Sequence, residues 1–261
     1  MIKKIIYKIS RSIAKKFGYK LVQKENENLN FQFPEYTDDE LRLIEISKKN
    51  TMTSYQKLNF LLRSIEHVYN NKIDGDFVEC GVWKGGNIIL FKNMMNKLNM
   101  QNKKIYAFDT YEGMTKPSDI DVDLRFKQEK AKDVMDISPK DYNIHNIHSY
   151  YPIEKVKKNI IDNCKDLENI KFIKGDVLKT LLISDNIPEK ISILRLDTDW
   201  YESTKIELEI LFPKLVNNGI LIIDDYGDYK GCKKAVDEYF RDKKFNIFKI
   251  DEGGRMLIKS S

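Results

Sequence analysis

The chain has 261 residues, 41% hydrophobic and 33% charged, with a formal net charge of +5. That is enough for one large α/β domain with its own core, and no apolar run approaches the roughly 20 residues that span a bilayer. The charge is unevenly placed: residues 1–24 carry eight Lys/Arg and no acid, so the remainder is −3 and does not read as a nucleic-acid-binding body. Cys80, Cys164 and Cys232 are odd in number and far apart, which suits reduced thiols in a cytosolic protein rather than a disulfide framework. No signal peptide is expected, because no apolar stretch and small-residue cleavage site follow the basic start.

In chain order, Ile2, Ile5, Ile6, Ile9, Ile13 and Phe17 recur at helical spacing between lysines and arginines. Residues 1–24 therefore read as a basic amphipathic helix, packed on the body or lying on an anionic membrane face. Residues 25–70 form a helical lead-in and lid, with helices over 38–48 and 55–70. A regular alternation of strands and helices then fills 71–261, interrupted by an irregular, polar insert at 111–150. Strands are predicted at 76–82, 104–110, 170–176, 191–197, 219–226, 246–251 and 254–260. Helices are predicted after the glycine-rich turn to about Lys97, and over 152–164, 202–213 and 231–241, with a short one after the third strand. Such alternation argues for a parallel sheet covered on both faces. The last two strands leave no room for a helix, so they must form a hairpin. The result is α/β: a mostly parallel seven-stranded sheet with a terminal antiparallel hairpin, the outline of the Rossmann-like class I methyltransferase fold.

Open α/β sheets bind ligands at the carboxyl ends of their strands. The first strand ends in Glu79-Cys80-Gly81, the second in Asp109-Thr110 and the third in Gly175-Asp176. The fourth ends in Asp197-Thr198-Asp199 and the fifth in Asp224-Asp225. The first turn is Glu-x-Gly-x-x-x-Gly-Gly, not a dinucleotide fingerprint. Its glycines admit a ligand close to the backbone, an acid after the second strand suits ribose hydroxyls, and one after the third suits an adenine amino group. That ordered set fits S-adenosylmethionine. Strands four and five should be neighbours, which brings Asp197 beside Asp224 and Asp225. So many carboxylates at one point need a positive partner. With oxygen ligands only, a hard cation such as Mg²⁺ is the natural one, able to lower the pKa of a substrate hydroxyl.

Several stretches resemble the macrocin O-methyltransferase (TylF-like) family: GDFVECGVWKGG, YAFDTYEGM, the run from LRLDTDWYEST to DEYF, and more weakly TMTSYQKL. The resemblance covers about residues 50–245. It implies methylation of sugar hydroxyls with S-adenosylmethionine and Mg²⁺. It further implies metal ligands Asp197, Asp224 and Asp225, and cofactor contacts at Glu79, Gly81, Asp109, Thr110 and Asp176, with Met52 closing over the cofactor. The proton acceptor is left open between Asp199, which matches the family's second motif acid, and His145 or His148 of the insert. Because the insert and the C-terminal ending depart from the family, the acceptor's identity does not carry over. The expected partners are thus a sugar-containing acceptor, no nucleic acid, an anionic membrane touched through residues 1–20, and a further copy of the chain. The expected place is the cytoplasm or its membrane face. The competing reading is a metal-dependent glycosyltransferase using Asp197-Thr198-Asp199, disfavoured by the glycine turn and the later Asp-Asp pair.

Overall fold

The computed structural model describes residues 33–125 and 128–260. The basic segment over 1–24 lies outside the described residues. The chain divides into two units, 1–41 and 42–261. The described end of the first unit opens helix α1 (Asp38–Lys48) with a reciprocal cap. Thr37 Oγ1 accepts from the Glu40 amide at 3.3 Å, and Glu40 Oε2 accepts from the Thr37 amide at 2.7 Å.

The second unit holds the sheet. Its strands are β1 (Asp76–Cys80), β2 (Ile105–Asp109), β3 (Ile170–Lys174), β4 (Ile191–Leu196), β5 (Leu215–Ile223), β6 (Phe248–Lys249) and β7 (Arg255–Ile258). They lie in the order β3-β2-β1-β4-β5-β7-β6. The first five run parallel, and β7 is antiparallel to both β5 and β6. This is the expected class I methyltransferase arrangement. The chain winds outward from β1 to β3, then returns to place β4 on the other side of β1. That reversal opens a crevice at the carboxyl ends of β1 and β4.

The helices are α2 (Tyr55–Asn70), α3 (Gly86–Lys97), α4 (Ala131–Ile137), α5 (Ile153–Cys164), α6 (Val177–Thr180), α7 (Tyr201–Leu211) and α8 (Lys230–Phe240). Ser54 caps α2, its Oγ accepting from the Lys57 amide, and Leu58, Leu61, Leu62, Ile65 and Val68 form its buried stripe. Strand alternation sorts the sheet's side chains. Val78, Cys80, Leu194 and Leu196 share a core with Leu208 of α7 and Val236 of α8. Phe77, Glu79, Ile193 and Arg195 point to the opposite face, where α2 packs against β4. On that face Glu79 and Arg195 are direct partners in the β1–β4 register.

The structure departs from the sequence expectation at the fifth strand, which runs over Leu215–Ile223 rather than 219–226, and at two further places. The strand expected over 246–251 shrinks to Phe248–Lys249, an exposed edge pair. The insert, expected to be irregular, contains α4 and two isolated bridges, Val122 to Lys130 and Asp123 to Tyr229. Buried Asp121 anchors it by accepting from the Tyr201 amide at 2.8 Å and the Ser118 hydroxyl at 2.7 Å. All three cysteines are buried and unbridged. Among the described residues no helix is long and apolar enough to cross a membrane.

Candidate active site

A cavity of about 1040 Å³ runs along the carboxyl ends of the strands. Its walls include Gly81, Asp109, Thr110, Asp176, Asp197, Asp199, Asp224, Asp225, Met52 and His145. Glu79 and His148 do not line it. His148 Nε2 instead faces the Ser138 carbonyl at 2.9 Å.

The first turn is built around Gly81, whose φ is +88°. A Cβ there would stand 1.9 Å from the Asp197 carbonyl oxygen, so β1 and β4 could not approach this closely with any other residue. Asp109, at the end of β2, pins the same turn. Its Oδ2 accepts from the Val82 and Trp83 amides at 2.7 and 3.0 Å, and its Oδ1 from the Tyr111 amide at 2.6 Å. Burial raises the carboxyl's pKa, and the backbone donors oppose it. Thr110 donates to the Gly113 carbonyl at 2.6 Å. Asp176 caps α6, accepting from the Leu178 amide at 2.9 Å.

At the crevice, Arg195 is the centre of the charge network. It is 1% exposed. Its Nη1 donates to Glu79 Oε1 and Asp197 Oδ2, each at 2.7 Å. Its Nη2 donates to Thr53 Oγ1 at 3.0 Å and to Asp224 Oδ1. Lys57, buried in the first turn of α2, donates to the other Asp224 oxygen at 2.6 Å and to its backbone carbonyl at 3.0 Å. Asp224 thus has a cation on each oxygen. Burial alone would push its pKa up, but Lys57 and Arg195 outweigh it and hold the group below the usual carboxylate range. Glu79 is fully buried, and burial lifts it to about 7 against the pull of Arg195 and Asn87.

The remaining acids are compensated less: Asp197 has Arg195 on one oxygen only. Among the described residues, Asp197, Asp199 and Asp225 offer ligand oxygens within 4.8 Å of one another. Asp199 reaches the cluster through a left-handed backbone, φ +63°, a conformation that aspartate tolerates better than most side chains. Burial and the charge of Asp197 push Asp199 up to about 8, while burial, eased by Arg195, leaves Asp197 at about 6. Asp225 is pushed well above its usual range by burial and then by Asp199.

The sequence-implied ligand set therefore divides. Asp197 and Asp225 converge, Asp199 joins them, and Asp224 turns toward Lys57 and Arg195. His145, from the insert, crosses the cavity mouth: its Nε2 meets Met52 Sδ, and its ring lies 5.2 Å from that of Trp83. Burial, then Lys84 and Lys48, lowers its pKa.

Residues 15–257 match the family described as macrocin-O-methyltransferase (TylF). The chain belongs to that family. It is an O-methyltransferase, which sets aside the glycosyltransferase reading of the Asp197–Asp199 motif. This methyltransferase is 30% identical over 195 residues to demethyldecarbamoylnovobiocin O-methyltransferase of Streptomyces niveus, covering 73% of this chain and 67% of that one. It is 26% identical to mycinamicin III 3''-O-methyltransferase of Micromonospora griseorubida, covering 78% and 76%. Among solved structures it superposes on the O-methyltransferase NovP with a TM-score of 0.67 at 27% identity, covering 81% of this chain and 83% of that one.

Sequence reasoning missed Arg195, Lys57 and Thr53. Arg195 carried a signal: a lone cation inside the apolar run ISILRL must find buried partners. Lys57 carried a weaker one, since it precedes Leu61 by one helical turn on the buried stripe.

Proposed function

We propose that this methyltransferase moves the methyl group of S-adenosylmethionine onto a hydroxyl of a sugar-containing acceptor, at a divalent cation expected to be Mg²⁺. The observation that supports the cation is the Asp197–Asp199–Asp225 cluster, whose ligand oxygens lie within 4.8 Å of one another and whose carboxyl pKa values are all raised, an arrangement that a hard cation would relieve. The sugar is supported by a relative of Streptomyces olivaceus, 29% identical over 198 residues, that is named for methylating a rhamnosyl-bearing tetracenomycin C.

The donor set fits the cofactor. Asp109 keeps about one acceptor site beyond its three backbone bonds, enough for one ribose hydroxyl. Asp176 stands at the next strand end for the adenine amino group. When bound, S-adenosylmethionine supplies an electrophilic methyl on sulfur, and the cation would make a bound hydroxyl more acidic. The chain itself holds the turn after β1 open with Gly81, fixes Asp224 between two cations, and sets Asp199 beside Asp197 and Asp225, where it would help hold the cation. The insert frames the acceptor side through Asp123, Arg125 and Glu129. Met52 and His145 meet across the mouth, a contact suited to excluding water.

Labelled methyl transfer to a panel of glycosides tests the reading. Transfer to a sugar hydroxyl that stops in excess EDTA and returns with Mg²⁺ is the expected result. Transfer undiminished by EDTA overturns the cation, and transfer confined to non-sugar hydroxyls overturns the acceptor class.

The place of action belongs to the same proposal. Buried, unbridged cysteines suit a reducing cytoplasm. Residues 1–20 bring seven Lys/Arg, each worth about 1 kcal/mol near an anionic leaflet. Full-length protein is expected to sediment with anionic vesicles at low salt and not with neutral ones, and to lose this on removal of residues 1–20. No sedimentation by the full-length chain rejects membrane contact.

A further inference from the structure

We infer that Glu207 is a positioning residue for the acidic cluster: through Thr198 it fixes the turn that aims Asp197 and Asp199 at one point. The inference rests on the cation reading above. Glu207 lies in α7, is fully buried and does not line the cavity, so it acts from behind the site. Among the described residues no salt bridge reaches it; those of the site go to Glu79, Asp197 and Asp224. The Thr198 hydroxyl donates to its Oε1 at 2.9 Å and lies 3.1 Å from its Oε2. The buried face of α7 continues with Leu208 and Leu211. A carboxyl held there by a neutral hydroxyl, with no cation beside it, costs stability that an apolar side chain would not. What it does for Thr198 accounts for its place.

Thr198 stands between two acids of the cluster and lines the cavity. Helix α7 holds it twice. Ser203 and Glu207, four residues apart, share one face of the helix. Ser203 Oγ lies 3.2 Å from the Thr198 carbonyl, which also accepts from the Trp200 amide at 2.7 Å. Glu207 takes the hydroxyl. A threonine side chain is stiff at χ1, so fixing Oγ1 also fixes the backbone that carries it. On the other side of Asp199, buried Trp200 donates its ring N–H to the Thr115 carbonyl at 3.0 Å. Asp199 is thus held through both neighbours, and its direction follows from how they are held. Three carboxylates whose oxygens lie within 4.8 Å of one another repel, and a rigid turn keeps them converged for an ion.

The test measures Mg²⁺ affinity by calorimetry and stability by urea unfolding on the same proteins. In Glu207→Met, Mg²⁺ is expected to bind about tenfold more weakly, the low end for losing an outer partner of a metal site. Stability should not fall below wild type, because an apolar chain of similar shape replaces a buried carboxyl and the Thr198 hydroxyl can turn to cavity water. Thr198→Val should cost as much affinity, and the double variant no more than either change by itself. Glu207→Gln, whose side-chain oxygen still accepts from Thr198, should stay within about twofold of wild type. Unchanged Mg²⁺ affinity in Glu207→Met overturns the inference, as do losses that add in the double variant. Affinity and stability that fall together in the Met and Gln variants alike overturn it in favour of packing. Should Glu207→Met not fold, Thr198→Val decides: weakened Mg²⁺ binding at wild-type stability supports the inference, and retained binding overturns it. Wild-type protein that binds no Mg²⁺ instead rejects the cation reading, and the inference with it.

Discussion

Replacing Arg195 with methionine is expected to destabilise the fold by about 3–5 kcal/mol, the usual consequence of removing one side of a buried charge network. The magnitude follows from what is stranded. Glu79, Asp197 and Asp224 all bond to this one guanidinium. Lys57 remains for Asp224, but Glu79 keeps only the Asn87 amide and has nowhere to reach water. Domain stabilities are typically about 5–15 kcal/mol, so the variant should sit near the edge of folding. Arg195→Lys should not restore it, because an ammonium cannot fork across Glu79 and Asp197 on one nitrogen and Thr53 and Asp224 on the other. Adding Glu79→Gln to Arg195→Met should recover part of the loss by removing one stranded charge. Urea unfolding of the four proteins measures this. A single-variant loss under about 1 kcal/mol would mean that the carboxylates are satisfied some other way.

The second large effect is the pH dependence of Mg²⁺ binding. In the ion-free protein Asp197 and Asp199 titrate near 6 and 8, above the ordinary carboxylate value near 4. Between those limits the folded state holds more protons than the unfolded chain. Stability contributed by these groups is thus full below pH 4 and declines as pH rises toward 8. Mg²⁺ must displace the same protons, so its affinity should climb about tenfold per pH unit between pH 6 and 8 for each proton released. The melting temperature of ion-free protein should therefore fall across this window, and the stabilisation by Mg²⁺ should grow across it. Asp199→Asn should flatten both trends and weaken Mg²⁺ binding. A Mg²⁺ stabilisation that is the same at both ends of the window would refute the proton-for-metal exchange. If Asp199→Asn keeps Mg²⁺ affinity while Asp224→Asn loses it, the ion lies among Asp197, Asp224 and Asp225, and Asp199 is free to act as the base.

Most of the architecture was legible in the amino-acid order because its signals are local. The apolar runs FVEC, IYAFD and ISILRL are short and nearly continuous, which is what burial on both faces demands. The acids after each strand could be placed on one sheet edge by topology alone, since parallel strands all deliver their carboxyl ends to the same side. The glycine after β1 was legible as a close-approach residue, but not what it approaches: the obstacle is the Asp197 carbonyl, 116 residues later in the chain. The hairpin's first strand was expected over 246–251 and is only Phe248–Lys249, because an exposed edge pair carries little apolar patterning to mark its ends.

The tertiary structure alone decided how the charges pair. Counting acids at the crevice suggested a bound cation for Asp197, Asp224 and Asp225 as a group. Folding brings Arg195 into register with Glu79 and brings Lys57 from α2 onto Asp224, so part of that negative charge is neutralised by the protein's own cations. Among the described residues, Asp197, Asp199 and Asp225 form the acidic cluster whose ligand oxygens converge, Asp197 with one oxygen on Arg195. Pairing of this kind depends on distances of a few ångströms between residues as far apart as 57 and 224. A sequence states which charges exist and, through periodicity, which face they occupy. Which of two adjacent carboxylates meets a lysine is fixed by where α2 packs on the sheet, and no local pattern encodes that.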